Sequence, residues 1–257
     1  MILSGLTQPM ADAIKLLTKE VTKLRYPKIL IIWAGPALAL GLMLVMWLWF
    51  PHFFPSSPRR IKLLLIFATI RLTIYRTIFI RWGSNSKYAI IGGHRRVAQV
   101  LSYEVCFFIL ALTLFYSLIN FNIRKLELLQ QNIWVGVFSA PILITWLLLC
   151  LCESNRAPFD LSEGESEIVS GFNIEYGGGM FALIFIAEYG IIIFLSSITA
   201  LLFLGGSRIL LKALILSFVF IWLRCRFPRV RYDLLINIAW KLTLPYTLAI
   251  ILLIMML

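Results

Sequence analysis

Charge is scarce in this chain. Of its 257 residues only 14% are Asp, Glu, Lys or Arg, against 61% hydrophobic, and the mean hydropathy is +0.91. A water-facing surface needs far more charge, so a soluble globular domain is excluded. Acids are scarcer than bases, 12 against 24, which leaves a net charge of +12. The bases are scattered between apolar runs, not interleaved with exposed aromatics, and this argues against a nucleic-acid partner. Cysteine is limited to Cys106, Cys150, Cys152 and Cys225, with no C-x-x-C pair, so neither a metal site nor a disulfide framework is indicated. Buried free thiols are the default reading for them. Histidine is limited to His52 and His94, both isolated, and neither suggests chemistry. The first twenty residues carry acids and bases and no long apolar core, so no cleavable signal is expected. Internal repeats are also lacking.

What is abundant is long apolar sequence. A helix that crosses a bilayer needs roughly 20 apolar residues. Seven candidates meet or approach this: about 29–50, 61–82, 99–120, 133–152, 179–204, 208–224 and 235–257. The runs are continuous, not alternating. Helices are therefore expected, since within lipid each backbone group must bond inside its own segment. Residues 6–24 differ. Leu6, Met10, Ala13, Leu17, Val21 and Leu24 recur at three and four, with Asp12, Lys15, Lys19, Glu20 and Lys23 mainly between them. This predicts an amphipathic helix lying along the membrane surface; packing on a soluble partner is the alternative. The expected fold is an all-α integral membrane protein with about seven transmembrane helices plus an N-terminal amphipathic surface helix. It forms a single membrane domain, 1–257, with the surface helix at 6–24 and a seven-helix bundle over 29–257.

Seven crossings place the amino end, 81–98, 153–178 and 225–234 on one side. That side holds Lys15, Lys19, Lys23, Arg25, Lys28, Lys87, Arg95, Arg96, Arg156, Arg226, Arg229 and Arg231. The other holds Arg59, Arg60, Arg124, Lys125 and Arg208. The more basic side is expected to face the cytoplasm or its organellar equivalent.

On that same side lies an anomaly, "ESNRAPFDLSEGESEIVSGFNIEYGGG" at 153–179. Six of the twelve acids are here: Glu153, Asp160, Glu163, Glu165, Glu167 and Glu175. Two such charges about 7 Å apart, at an effective dielectric near 20, repel by about 2.4 kcal/mol. Crowding of this kind raises carboxyl pKa values and couples their titrations. The loop can then take up protons or respond to a negative charge nearby; a plain solvated loop is the alternative. Two further acids, Glu104 and Glu188, lie inside apolar runs, where a charge costs at least ~2.5 kcal/mol and faces a pathway or a partner. A buried pair with an arginine such as Arg71 or Arg76 is the alternative. Glu153 closes the fourth run beside the loop, so the acids extend from the loop into the bilayer.

These residues carry a resemblance. "ESNRAPFDLSEGESEIVSGFNIEY" followed by "FALIFIAEY" resembles the signature of subunit 1 of NADH:ubiquinone oxidoreductase, the quinone-site membrane subunit of respiratory complex I. "GLTQPMADAIKLLTKE" at 5–20, "SNSKYAIIGGHRRVAQVLSYEV" at 84–105 and "FIWLRCRFPRVRYDLLINIAWKLTLPYTL" at 220–248 resemble further blocks of the family, in order. The family has eight spanning helices, and its first has no counterpart before Gly5. The chain is expected to be either shortened or one half of a divided protein, with a small separate polypeptide of one apolar helix completing the bundle. Arg71, Arg76 and Arg81 stand where the family usually has small polar residues. Contact with a lineage-specific partner or with lipid headgroups is the expectation for them.

The resemblance implies a subunit of proton-translocating NADH:ubiquinone reductase in the mitochondrial inner membrane, with the acidic loop on the matrix side. It implies a quinone-access tunnel through the bundle, with ubiquinone as substrate. No redox cofactor is expected on this chain; FMN, iron–sulfur clusters and the NADH site belong to partner subunits. The expected partners are other membrane and quinone-module subunits and lipids, and no nucleic acid. Proton coupling falls to Asp160, Glu163, Glu165, Glu167, Glu104, Glu153 and Glu188, with Arg156 holding the loop through a charge-assisted bond to one of its acids. Phe159, Phe172, Tyr176 and Asp12 are the quinone-binding candidates, and "RFPRVRYD" at 226–233 is a candidate dock for the soluble arm, with an ordinary inner-face anchor as the equal alternative. A proton-coupled secondary transporter is the competing reading, since buried acids and the glycine run at 177–179 suit it; such folds show repeated halves, which are not seen here.

Overall fold

The computed structural model describes residues 2–20, 29–51, 59–117, 130, 134–161, 171–173 and 175–256. Among the described residues there are helices and no strands. The amino-terminal helix α1 spans Ile2–Thr18. The bundle follows with α2 (Ile29–Trp49), α3 (Arg59–Ser84), α4 (Lys87–Ser117), α5 (Ala140–Ser154), α6 (Gly178–Phe203), α7 (Ile209–Arg226) and α8 (Tyr232–Met256). Five of these, α2, α3, α4, α6 and α8, are long and apolar enough to cross a membrane. Helix α5 is apolar but shorter, and α7 carries Lys212, Arg224 and Arg226 within its length.

The expected spans therefore exist as helices, with shifted ends. α4 begins at Lys87, not near 99, so the expected loop 81–98 shrinks to a tight turn in which Asn85 adopts φ 49. The polar string Gly92-Gly93-His94-Arg95-Arg96 that suggested a loop is helical. It is tolerated because Arg96 turns inward and is almost fully buried, while the Arg81 stem packs over Gly93. α5 starts after a separate single turn, Val135–Phe138, and has Pro141 at its start, where a missing N–H costs nothing. It ends at Asn155 in the left-handed conformation, a common helix stop. α8 carries a π turn at Ala239–Thr243. On α1 and just beyond it, every residue from Thr7 to Lys19 is exposed except Leu16, which is half-buried. Residues 21–24 of the expected surface helix lie outside the described set.

Lipid is as apolar as leucine, so close packing, not water exclusion, holds such a bundle together. The central cluster shows this. Trp146 of α5 is wholly buried and stacks on Phe107 of α4 with centroids 4.5 Å apart. Phe67 of α3 meets both rings edge-on, and Phe203 of α6 tilts against Trp146 at 5.9 Å. α2 and α3 cross closely where Gly35 faces Ile80; a methyl group there would stand 2.7 Å from the Ile80 side chain. A second cluster of Ile32, Ile80, Tyr176, Met180 and Ile184 joins α2, α3 and α6. α1 lies against α6, and α8 against α4.

Candidate functional site

The site is built on α3, α4 and the end of α5. On α3, threonines recur every four residues at 69, 73 and 77, all buried, and each lies within hydrogen-bond reach of a carbonyl three residues back. Such back-bonding satisfies a hydroxyl inside a membrane helix. Thr73 does more: its Oγ1 lies 2.7 Å from Ile70 O and 3.1 Å from Glu153 Oε1, so one hydroxyl proton is shared between backbone and carboxylate. Arg96 of α4, Arg76 of α3 and Glu104 of α4 all stand close enough to act on Glu153 electrostatically. Glu104 in turn accepts from Arg71, with Nε to Oε1 at 2.8 Å, and the Arg71 guanidinium also lies 4.8 Å from the centre of the Phe108 ring. The structure thus gathers two of the sequence-predicted acids, Glu104 and Glu153, into one polar cluster within the bundle.

One of the arginines expected to reach outward to a partner or to lipid headgroups turns inward instead: Arg76 is 3% exposed beside Glu153. Arg71 is paired with Glu104 but stays half-exposed at the outer face. The reason is electrostatic: a cation on a membrane helix is stabilised by a buried carboxylate more than by apolar surroundings.

Where α5 ends, the chain turns back under α4. Gln99 Nε2 donates to Cys152 O at 3.2 Å and to Phe159 O at 3.0 Å, which fastens both sides of the turn to α4. Arg156, within that turn, donates from Nη2 to Glu188 Oε2 of α6 at 2.9 Å, and both side chains are almost wholly buried. The Arg156 guanidinium also lies over the rings of Phe185 and Tyr189, at 5.2 and 5.0 Å. Arg156, expected to bond an acid of the loop, thus bonds an acid inside a helix, and Glu188 takes Arg156 where the sequence suggested Arg71 or Arg76. Asp160 is half-buried in the same turn. Glu163, Glu165 and Glu167 lie outside the described residues.

The quinone candidates are dispersed. Phe159 packs into the central core at 7% exposure. Phe172 belongs to a short 3-10 turn, Gly171–Asn173, and its side chain is outside the described set. Tyr176 is buried in the α2–α3–α6 cluster, and its hydroxyl donates to Ile80 O at 3.1 Å. Burial pushes the Tyr176 phenol well above its ordinary value near 10. Asp12 lies on the exposed face of α1, where it accepts from Gln8 Nε2 at 3.2 Å. The carboxyl end of α1 reaches Gly178, two residues beyond Tyr176. That glycine has φ +59, and a methyl group on it would stand 3.0 Å from Lys19 O. Only glycine combines that backbone conformation with so close an approach.

Sequence reasoning missed Thr73, Gln99, Tyr103 and the inward role of Arg96. The four-residue spacing of the threonines was a usable signal for the buried face of α3. Gln99 and Tyr103, also four apart, face the same way: Tyr103 donates to Leu235 O of α8 at 2.8 Å.

Comparison with known proteins shows the family. The family model described as NADH dehydrogenase matches residues 2–255. The chain is 43% identical over 257 residues to NADH-ubiquinone oxidoreductase chain 1 of Emballonura alecto, an alignment covering 96% of this chain and 81% of that protein. It is 42% identical to the proteins of the same name from Salmo salar and Papio hamadryas, again over 96% of this chain and 80% and 81% of theirs. With its acids gathered on a helical bundle and a match running almost from end to end, this chain belongs to the NADH dehydrogenase family.

Proposed function

We propose that this chain is a core membrane subunit of proton-translocating NADH:ubiquinone reductase, multi-pass in the mitochondrial inner membrane, which offers ubiquinone an apolar passage and couples its reduction to proton translocation. Electrons reach the quinone from centres on partner subunits, where NADH, FMN and the iron–sulfur clusters belong. This chain supplies binding surface and acid–base groups. Other membrane and quinone-module subunits adjoin it, and lipids cover its outer apolar faces.

Full reduction of a quinone takes two electrons and two protons. Negative charge that appears before the protons arrive favours the protonated form of any carboxyl nearby. The loop acids Asp160, Glu163, Glu165 and Glu167, on the matrix side, are the first to respond. Glu153 stands where the loop leaves α5, Glu104 lies next to it on α4, and Glu188 is tied to the turn through Arg156. A change of charge in the loop therefore acts on groups already in mutual electrostatic contact. The quinone tail is assigned to the apolar junction where α1 seats against α6 beside Ile32, Tyr176, Met180 and Ile184, while Phe159 in the central core, Phe172 and Asp12 are assigned to other parts of its passage.

One observation carries the reading: Glu153, Glu104, Thr73, Arg96, Arg76 and Arg71 form a continuous polar cluster on α3, α4 and the end of α5, from which the chain runs on into the acidic segment. A proton-coupled transporter has no comparable support. The test is Glu153→Gln in the assembled complex, with NADH–quinone turnover and proton uptake measured together. The expected result is intact assembly with turnover reduced at least roughly tenfold, below the range for full loss of an acid–base group. Unchanged turnover with unchanged pumping rejects the assignment.

A further inference from the structure

The turn between α3 and α4 shapes a cavity that the coupling reading does not use. It has a volume of about 320 Å³ and is lined by Ile78, Arg81 and Trp82 of α3, Asn85 of the turn, and Ile90 and His94 of α4. Its chemistry is divided. Ile78, Ile90 and Trp82 form an apolar wall, while Arg81, Asn85 and His94 present a cation, an amide and an imidazole. None of the lining residues is acidic. Among the described residues Arg81 has no carboxylate within ion-pair distance, in contrast to Arg71 on the same helix. Its stem is held in place against Gly93, so the guanidinium is presented by a fixed arm.

The cavity lies at the ends of two helices long and apolar enough to cross a membrane, hence at the boundary between lipid and water. Trp82 is 54% exposed there, and Tyr88 and Ile90 are exposed beside it. Aromatic residues of this kind favour the headgroup level. From Trp82 an outward apolar stripe runs along α3 through Ile78 and Tyr75 to Leu72, at helical spacings of three and four. A cation without a carboxylate, at the head of an apolar stripe and at the membrane boundary, fits an amphiphile with a negative head.

We propose that this cavity binds the phosphate headgroup of an anionic phospholipid, with an acyl chain lying along the Ile78–Leu72 stripe. Arg81 pairs with two phosphate oxygens, a geometry that suits guanidinium better than ammonium. Asn85 and His94 add hydrogen bonds, and Trp82 packs on the glycerol. The site shares no residue with the cluster around Glu153, so it holds or fails independently of the coupling assignment.

The experiment uses the whole complex, stripped of loosely held lipid in detergent and reloaded with micelles of phosphatidylcholine containing phosphatidylglycerol. Bound phosphatidylglycerol is counted per complex by native mass spectrometry for wild type, Arg81→Gln, Arg81→Lys and His94→Leu. Wild type is expected to hold one more molecule than Arg81→Gln, with an apparent affinity roughly tenfold or more higher, as loss of a charged hydrogen-bonded pair dictates. Arg81→Lys and His94→Leu should fall between them, and phosphatidylcholine binding should not change. Equal phosphatidylglycerol in wild type and Arg81→Gln overturns the proposal. In a second arm, excess inorganic phosphate is added to the wild type; displacement of the lipid by phosphate that then stays bound also overturns it, in favour of a free-anion site. A third arm needs no stable Arg81 variant. A photo-crosslinking amino acid at position 82 of the assembled complex should label phospholipid, and label found only on a neighbouring polypeptide overturns the proposal.

Discussion

Arg156 and Glu188 meet at 2.9 Å with side chains 7% and 4% exposed, joining the turn after α5 to the middle of α6. Two aromatic faces, Phe185 and Tyr189, flank the guanidinium. Removing one member of a buried pair leaves the other charge without compensation, at a cost of roughly 3–5 kcal/mol. Arg156→Leu and Glu188→Leu are each expected to lower the amount of assembled complex several-fold, measured by native electrophoresis of solubilised membranes. The combined variant should do better than the sum of the two losses, because it leaves no orphan charge. Losses that simply add would show that the two residues act separately.

Gly178 fixes how α1 sits on α6. Gly178→Ala would hold a side chain at φ +59 and press its methyl group to 3.0 Å from Lys19 O. The backbone penalty alone is about 1–2 kcal/mol, and α1 must shift to relieve the contact. The expected outcome is a bundle that still assembles while the seat of α1 is displaced. Turnover should fall more with a long-tailed quinone than with a short-tailed one, if the tail passes this junction. Equal kinetics with both tails would remove the α1–α6 seat from the quinone route.

The helices were legible because a spanning helix needs only local information, an apolar run of sufficient length. The start of α4 was not legible. Two glycines and three basic or imidazole residues read as a loop, and their helical state depends on a burial site for Arg96 that distant segments provide. The same non-locality hid most of the candidate site. Glu104 and Glu188 announced themselves as acids within apolar sequence, and the pairing with Arg71 that the sequence offered does form at Glu104, whereas Glu188 takes Arg156 instead. Ion pairs are formed by tertiary packing, so composition shows that partners are required without settling which acid takes which base. Gln99 illustrates a further limit: an unremarkable amide in the sequence becomes the clamp on two carbonyls only once the chain after α5 folds back.

Tyr176 gives a prediction in pH. Burial raises its phenol above the ordinary value near 10, so the folded protein holds the proton more tightly than the unfolded chain. The sign follows: stability from this group is fully present below pH 10 and is lost as pH rises through the folded value. Across pH 6–9 the hydroxyl remains a donor to Ile80 O, and the tie between the loop and α3 should be independent of pH. Tyr176→Phe should cost about 0.5–1.5 kcal/mol, the ordinary worth of one hydrogen bond, with the same loss at each pH in that range. Limited proteolysis of the complex at several pH values measures this. A penalty that changes between pH 6 and 9 would mean that another titrating group controls the contact.

The last prediction concerns Arg71 and Glu104. Glu104 is 16% exposed and Arg71 48%, so the pair stands at the edge of the polar cluster, with the arginine partly at the outer face. If Arg71 serves only to neutralise Glu104, the two losses should be coupled: Arg71→Gln alone leaves an acid in apolar surroundings, Glu104→Gln alone leaves a base, and the combined change leaves neither. Assembly should then follow the order wild type, double variant, single variants. Coupling of quinone reduction to proton uptake should follow a different order, because Glu104 lies in electrostatic contact with Glu153 and the double variant removes one acid of the proposed route. The double variant is therefore expected to recover assembly without recovering proton uptake per electron. Recovery of both would place Glu104 outside the route and leave it as a structural partner of Arg71.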